Sequence, residues 1–549
     1  MSGSTFDYVI VGGGLAGCAL ASRLKSAKPD NSILLVEAGQ DPAPEHDTVT
    51  PLGGFALQGS ALDWQFPTAP TPSTAGRKHT LTHGKTLGGG SVLNYGGWSR
   101  GDPPDYDAWA RILGGDKRWS YEGLLPYFKR SEQFFDPKAS AEHHGFEGPI
   151  KVTSNNHSHE ARKYPLRGPI EQGWKELGVE RNLDPFAGGL AGLSDFYESW
   201  KDGKRQPSHL AYSLDGVTVK TATPVLQIAI NDSGAKPKAV GVLLAGGEVI
   251  TAKKEVIVSA GSLQTPRLLL RSGIGDPEAI EARGISPHHA LPGVGQQYFD
   301  HFALFQWFKL KNPSRGLAVG HPNLSDPVFV AGMPADFNNN EGLPREILEK
   351  ALDEDGVMGA EREALLQPGR VFVETLVVYH PLGPFPLDGS VLCTSTMLTL
   401  PSSRGRISLA EDPYAPYPVI EPNYFTTALD RACLVHGVRR LLKLMFSTKA
   451  MQEYVEEEIV FEGMGLTQLR PESTDEEIEN RIRTLGQAHF HAAGSCPMGT
   501  VVDGDLKVKG TESLRICDAS IFPSPLGGHP MASLYAVAEQ AADIIAADA

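Results

Sequence analysis

The sequence contains few cysteines, and their spacing is a poor match to a disulfide framework. Cys18, Cys393, Cys433, Cys496 and Cys517 are odd in number and scattered over 549 residues, and no two of them form a Cys-x-x-Cys pair. Disulfide-stapled domains and thiolate zinc sites both need cysteines at close, regular spacing. We therefore expect reduced cysteines and no metal site.

Positive charge is also scarce. The chain has 50 Lys and Arg against 65 Asp and Glu, a formal net charge of −15 at pH 7. A nucleic-acid surface needs clustered Lys and Arg to replace the counterions of phosphates. The balance argues against a nucleic-acid partner and favours a small neutral substrate.

Long apolar runs are missing as well, since none reaches the ~18 residues of a membrane-spanning helix. The start, MSGSTFDYVIVGGG, enters a buried-strand pattern too early to leave room for a secretory signal peptide. The final residues, IAADA, are not a peroxisomal address. We expect a cytoplasmic protein without a membrane partner, and its oligomeric state is left open.

The first forty residues contain a nucleotide-binding pattern. DYVIVGGGLAGCALASRLKS followed by SILLVEAG indicates a strand, a glycine turn, a helix and a second strand. Gly12 permits the tight turn, Gly14 lets backbone amides approach a pyrophosphate, and Gly17 lets the helix pack closely on the strand. Glu37 closes the second strand about 20 residues later, where a carboxylate accepts bonds from ribose hydroxyls. The unit predicts FAD or NAD rather than NADP, without deciding between them.

The rest of the chain indicates further units, because ~100–200 residues per domain is usual. Residues 40–110 are rich in Gly, Pro and Ser, as expected of an extended segment lying along a ligand or of a plain linker. A second strand-rich region follows, and from about residue 301 to 480 the composition changes toward strands and amphipathic helices such as DRACLVHGVRRLLKLMF. We interpret this last region as a separate domain.

Four further stretches occur in order along the chain: HGKTLGGGSVLNYGGWSRGDPPDYDAW (83–109), AGSLQTPRLLLRSGIG (260–275), PGVGQQYFDH (292–301), and HAAGSCPMG with LRICDASIFPSPLGGHPMASLYAVAEQAAD (within 491–543). Together with the glycine turn they resemble the glucose-methanol-choline (GMC) family of FAD-dependent oxidoreductases. The resemblance implies a combined α/β and α+β fold: a discontinuous Rossmann-like FAD-binding domain (1–148, 207–300 and 485–549) and a substrate-binding domain on a mostly antiparallel sheet with helices (149–206 and 301–484).

The resemblance also implies which residues hold FAD. Leu15 and Ala16 would face the pyrophosphate, and the Val225 backbone would meet the adenine. Asp518 and Ala519 would contact the ribityl-pyrophosphate region. The full implied set is Gly12, Gly14, Leu15, Ala16, Gly17, Glu37, Ala38, Gly90, Asn94, Tyr95, Gly97, Val225, Asp518, Ala519, Pro530 and Met531.

Two positions depart from the family pattern. Gly90 and Ser91 stand where the family often has two serines, which would loosen that loop or open space near the flavin. Members that tether flavin to a histidine carry it just before the asparagine, where this chain has Leu93. We therefore expect non-covalent FAD.

The stretch AHFHAAGSC contains the expected base. Oxidising an alcohol removes a hydride and a proton, and a neutral imidazole is the usual proton acceptor. The resemblance assigns His491 and His529 to the two active-site positions. We expect the helix beginning at Pro530 to aim its positive end at the flavin. His489 and His301 are interpreted as structural and Cys496 as packing, while a metal at His489 and His491 lacks a third ligand.

The predicted function is FAD-dependent oxidation of an alcohol to an aldehyde or ketone, with oxygen or another acceptor taking the electrons. The alternative is a lyase resembling the family's hydroxynitrile lyases, in which FAD is structural and His491 only moves protons. Formate-oxidising relatives replace the second histidine by arginine, and His529 argues against that activity.

Overall fold

Two seven-stranded sheets organise the chain. The computed structural model describes residues 4–42, 47–50 and 52–548. One sheet carries the glycine-rich N-terminal unit, and the other is antiparallel and lies in the later part of the chain. This pairing confirms the predicted fold class.

The first sheet is parallel at its centre. The strand Val249–Val258 pairs with Thr5–Val11 on one side, and on its other side with Lys238–Leu244 along its first half and Leu514–Ile516 along its second. The central segments YVIV and ILLV are buried throughout, as expected of parallel strands covered on both faces. The strands lie in the order Thr218–Lys220, Ile33–Val36, Thr5–Val11, Val249–Val258, Lys238–Leu244 and Val225–Asn231.

Helices Leu15–Ala27 and Pro530–Asp548 pack together against this sheet. The first follows the glycine turn, as predicted, and its start lies against the first strand because Gly17 has no side chain. A Cβ there would collide with the Gly12 carbonyl oxygen. The second begins at Pro530, the predicted helix start.

The second sheet is antiparallel throughout. Helix Ala428–Ser447 packs on the strands Val391–Leu398 and Val373–Val378. Every residue of Val391–Leu398 is buried, because its other face adjoins the cavity described below. The order is Val455–Ile459, Phe302–Leu310, Val391–Leu398, Val373–Val378, Phe337–Glu341 and Gly192–Asp195, with Gln487–Ala488 also beside Phe302–Leu310.

The remaining elements are mostly short. The other strands are Phe66–Pro67, Thr80–Leu81, Glu132–Phe134, Ile150–Ser154, Tyr197–Glu198, Trp200–Lys201, Lys204–Arg205, Ile274–Gly275, His289–Ala290, Arg406–Ser408 and Val419–Glu421. The other α-helices are Gly53–Leu57, Gly90–Leu93, Pro103–Ile112, Tyr121–Ser131, Asn155–Ser158, Arg167–Glu176, Ser208–Ala211, Gly261–Arg271, Pro277–Glu281, Arg345–Glu354, Gly359–Leu365 and Asp475–Leu485.

The chain crosses between the two sheets several times. The strand Gly192–Asp195 belongs to the antiparallel sheet, and residues 218–258 return to the parallel one. Gln487–Ala488 also pairs with the antiparallel sheet, beside Phe302–Leu310. The five cysteines are all buried and unpaired. No helix within the described residues is long and apolar enough to cross a bilayer.

We predict that Gly17→Ala destabilises the fold, because the new methyl group would clash with the Gly12 carbonyl oxygen. Overpacking of this kind costs about 1–3 kcal/mol, so the thermal midpoint should fall. Gly168→Ala is the matched control, since it lies in helix Arg167–Glu176 and its Cβ would meet nothing within 4 Å. It should be neutral or stabilising by up to about 1 kcal/mol. Equal midpoints for both variants in thermal denaturation would contradict the close-packing argument.

Candidate active site

A cavity of about 670 Å³ lies between the two sheets, within the usual size of cofactor and ligand sites. Val11 and Val36 line it where their parallel strands end, and Ala260 and Ala519 lie just beyond the ends of two more. Ligands of open α/β sheets bind in this crevice beyond the carboxyl ends of the strands. The antiparallel sheet forms the opposite wall.

The cavity brings together nearly all of the residues that the sequence singled out. Every predicted site residue except Gly17 lines it, and Gly17 instead packs beneath the turn against Gly12. Residues from the extended segment 40–110 also line it, including Trp64, Phe66 and His83. This segment therefore lies along the cavity and is more than a linker.

The glycine turn fits a dinucleotide. A Cβ added at Gly14 would find its nearest neighbour 4.0 Å away, and one at Gly90 would meet nothing within 4 Å, so both backbones face open space. Helix Leu15–Ala27 begins beside them without a side-chain cap. Uncapped amides at a helix start attract a phosphate group.

Glu37 lies at the nucleotide end of the cavity. Its Oε2 accepts a hydrogen bond from the Gly13 amide at 2.8 Å, and its Oε1 accepts one from the Gly39 amide at 2.7 Å. Burial raises the pKa of this carboxyl to about 7, against the opposing effect of those amides. Each oxygen keeps a second lone pair, which suits it to accept from ribose hydroxyls.

Two other residues predicted to contact FAD also make hydrogen bonds within the protein. Asp518 accepts from the Gly261 amide at 2.9 Å and from the Thr265 hydroxyl at 2.6 Å, which ties the start of helix Gly261–Arg271 to the sheet. Asn94 ends helix Gly90–Leu93 and donates from Nδ2 to the Met531 sulfur at 3.1 Å. These bonds join separate segments around the cavity.

Three histidine rings meet at the other end of the cavity. His489 and His491 follow the strand Gln487–Ala488, and His529 immediately precedes helix Pro530–Asp548. The ring centroids of His491 and His529 are 4.7 Å apart, and His489 lies 5.1 Å from His491 and 5.9 Å from His529. The two predicted active-site rings therefore adjoin one another.

Glu374 determines the charge of His529. Glu374 belongs to the largely buried strand Val373–Val378, and its Oε1 lies 2.9 Å from His529 Nε2. Burial opposes the positive charge, but the Glu374 carboxylate outweighs it and raises the pKa of His529 above its ordinary value. Burial likewise opposes the negative charge of Glu374, and His529 outweighs it and lowers the pKa of that carboxyl. The two form a charged pair.

His491 is held neutral. Burial and then the charge on His529 lower its pKa far below the ordinary value. Its backbone amide donates to Asp300 Oδ1 at 2.7 Å, and its Nδ1 lies 2.9 Å from His301 Nδ1. A neutral imidazole beside a charged one can accept a proton while its neighbour donates a hydrogen bond.

His489 lines the same cavity but differs in its contacts. Its Nε2 lies 3.3 Å from the Ser395 hydroxyl, and its ring stacks on Phe305 at 5.7 Å. Burial lowers its pKa to about 3, so it is neutral. Cys496 is buried, and burial raises the pKa of its thiol, which disfavours a nucleophilic thiolate. The described residues include no cluster of three or more His, Cys, Asp or Glu able to hold a metal ion.

Sequence reasoning missed two of these contacts. Glu374 was not singled out, although a lone carboxylate in the apolar run VFVETLVV signals a buried partner. His301 was expected to make structural hydrogen bonds in a turn, but its partner turned out to be the His491 ring. Both contacts join segments far apart in the chain.

The antiparallel sheet gives the histidine end of the cavity an apolar wall. Side chains two residues apart on a strand share one face, and the register aligns them in two rows. One row is Trp307, Cys393 and Val378, and the next is Phe305, Ser395 and Leu376. Glu374, already paired with His529, is the one acidic or basic residue among the cavity-lining residues of these strands.

Comparison with known proteins agrees with this architecture. The GMC oxidoreductase family matches residues 6–303 and 401–538. The GMC-type oxidoreductase acuG of Aspergillus aculeatus is 36% identical over 99% of both chains. A formate oxidase variant of Aspergillus oryzae has a TM-score of 0.86 at 29% identity, covering 100% of this chain and 99% of its own. A fungal aryl-alcohol oxidase has a TM-score of 0.82 at 25% identity, covering 99% of each chain.

The family match includes the glycine turn, the histidine pair and the first half of the helix behind it, and it leaves out residues 304–400 of the chain. The cavity also fits the cofactor that the family uses. The chain therefore belongs to the GMC oxidoreductase family and is an FAD-dependent oxidoreductase that acts on CH–OH donors.

Proposed function

We propose that the protein oxidises a neutral, apolar alcohol to an aldehyde or ketone, with His491 as the general base. The observation that carries this proposal is the neutral His491 ring beside the charged His529 ring, 4.7 Å between centroids, at the apolar end of the cavity. Oxygen or another acceptor then takes the electrons.

The two rings divide the work on the hydroxyl group. FAD, when bound, supplies the acceptor for the hydride. His491 takes the hydroxyl proton, while His529 donates a hydrogen bond that stabilises the negative charge developing on the alcohol oxygen. A positioned base contributes about 10²–10⁴ in rate, and a charged donor in a water-poor cavity adds electrostatic stabilisation.

The apolar wall supports the substrate class. Phe305, Trp307 and Leu376 offer flat and apolar contacts, and the only acidic side chain of this wall is already neutralised by His529. A cationic alcohol would find no free carboxylate on this wall, and a sugar would press several hydroxyls against its apolar side chains, which costs free energy in a buried site. The fold likeness to an aryl-alcohol oxidase supports the same class.

We further propose that FAD is bound without a covalent tether. Leu93, the residue before Asn94, is buried and has no nucleophilic atom. Cofactor retention would then depend on the glycine turn, on Glu37 and on the start of helix Pro530–Asp548, whose positive end suits the electron-rich edge of a flavin.

Anaerobic mixing of the holoenzyme with alcohols tests the function. Aryl and long aliphatic primary alcohols should bleach the yellow flavin absorbance faster than choline, glucose or glycerol, because only the former match an uncharged apolar wall. Faster bleaching by choline or glucose would contradict the substrate class. Product formation without any bleaching would indicate a lyase.

The variant His491→Ala tests the base. It should retain FAD but reduce the flavin about 10²–10⁴-fold more slowly, since the positioned proton acceptor is lost. His288→Ala is the matched control, because His288 pairs with Asp232 on the surface. Flavin reduction at the wild-type rate in His491→Ala would remove this residue as the base.

The charged pair predicts an alkaline limit. Activity needs His529 protonated, so the rate of flavin reduction should fall as pH rises through the raised pKa of His529. Glu374→Gln removes the charge that raises this pKa, so the fall should begin at lower pH. Glu374→Asp keeps the charge and should remain closer to wild type. An unchanged alkaline limb in Glu374→Gln would contradict the assignment; stopped-flow reduction across pH measures it.

A further inference from the structure

The imidazole of His491 has two nitrogens, and only one of them can receive the substrate proton. Its Nδ1 lies 2.9 Å from His301 Nδ1, with the two rings perpendicular at 5.0 Å between centroids. Two neutral imidazoles in contact must pair one N–H with one lone pair. Two tautomeric arrangements are therefore conceivable, and they give opposite results at the cavity.

If His301 donated, the His491 proton would be on Nε2, and the nitrogen left for the cavity would have no lone pair. If His301 accepts, His491 carries its proton on Nδ1 and presents a basic Nε2. Among the described residues Nε2 of His491 makes no hydrogen bond, and the ring lines the cavity. Whether Nε2 of His491 is a hydrogen-bond donor or a base thus depends on His301.

The surroundings of His301 favour acceptance. Its ring is buried, with 3% of the residue exposed, and the backbone carbonyl groups of Leu526 and Thr399 lie beside it. A carbonyl oxygen only accepts, so it keeps the single proton of a neutral imidazole on the nitrogen that faces it. Nδ1 is directed at His491, so a proton on Nε2 of His301 leaves the Nδ1 lone pair free to accept.

His301 is also neutral by its environment. Burial and then the positive charge of His529 lower its pKa to about 3. The groups that surround the pair are His489 and His529 in the cavity, Asp300 beside the His491 amide, and Glu374 beyond His529. The one positive charge of the cluster therefore stays on His529, next to its carboxylate.

We propose that His301 is the positioning residue that fixes the tautomer of His491 and keeps the basic lone pair on Nε2, facing the cavity. This role rests on the proposed function. The O–H bond of the alcohol breaks and an Nε2–H bond forms on His491, while FAD, when bound, would supply the acceptor for the hydride. His491 then carries both protons, and its Nδ1–H remains bonded to His301.

Two adjacent residues, Asp300 and His301, hold His491 in place. Asp300 accepts from the His491 amide through Oδ1 and from the Tyr424 hydroxyl through Oδ2 at 3.0 Å. His301 holds the ring, and its carbonyl accepts from the His489 amide at 2.9 Å. Because both residues directly precede strand Phe302–Leu310, the antiparallel sheet positions the base through two adjacent side chains.

Two variants of the holoenzyme separate this role from mere packing. His301→Ala removes the acceptor and should slow flavin reduction about 10–100-fold, the usual loss when an orienting partner is removed, with FAD content and substrate dissociation constant unchanged. His301→Gln restores an acceptor oxygen at this position and should recover much of the rate. Wild-type reduction in His301→Ala, or a His301→Gln variant that binds FAD yet is as slow as Ala, would overturn the proposal.

A spectroscopic measurement keeps the test independent of turnover and of variant stability. In ¹⁵N-histidine-labelled wild-type protein, long-range ¹H–¹⁵N correlations should show His491 protonated on Nδ1, with the assignment taken from the signals lost in His491→Ala. Protonation on Nε2 would overturn the proposal. If no alcohol bleaches the flavin while His491 is the Nδ1–H tautomer, the proposed function fails and the tautomer assignment stands.

Discussion

The site depends on one electrostatic constraint: a buried group of imidazoles in close contact can hold little positive charge. Desolvation opposes every protonation, and each charged ring raises the cost of the next. The Glu374 carboxylate relieves that cost only at the ring it touches, so the charge is held on His529. His491, His489 and His301 are neutral for the same reason. One buried carboxylate thereby gives chemically identical side chains different roles, a donor and an acceptor on adjoining rings.

These groups lie together because two sheets meet at the cavity, and no single sequence motif contains them all. The parallel sheet ends at the glycine turn and holds the nucleotide side, while the antiparallel sheet carries Glu374 and begins its longest strand just after His301. The proposed base, His491, comes from the segment that leaves the second sheet, and His529 comes from the start of a helix that packs on the first. The repeated crossing of the chain is therefore what lets cofactor groove and proton acceptor share one cavity.

Local patterns made one half of this arrangement predictable. YVIV, the glycine turn and ILLV each follow from short-range rules, so the first strand, helix and second strand lie within a few residues of expectation. The family motifs pointed to the lining residues, His491 and His529. The alternation of apolar and polar residues identifies the two faces of a strand but not its register with a neighbouring strand. The alignment of Phe305 with Ser395 and Leu376 could therefore not be predicted from the sequence. The contact of His301 with His491 depends on another pairing, that of Phe302 with Ala488, and the contact of Glu374 with His529 joins the antiparallel sheet to the start of a helix on the other sheet.

The same charge pairing limits what fold similarity can say about the substrate. Formate oxidase shares the architecture, yet a carboxylate substrate needs a cation that is free to bind it. In this chain the cationic ring beside the base already has a carboxylate 2.9 Å away, and a second anion in that water-poor space would be repelled by Glu374. A neutral hydroxyl meets no such repulsion, because it can donate to His491 and accept from His529 at once. In the proposed function, the partner of His529, more than the fold around it, therefore determines which functional group the cavity takes.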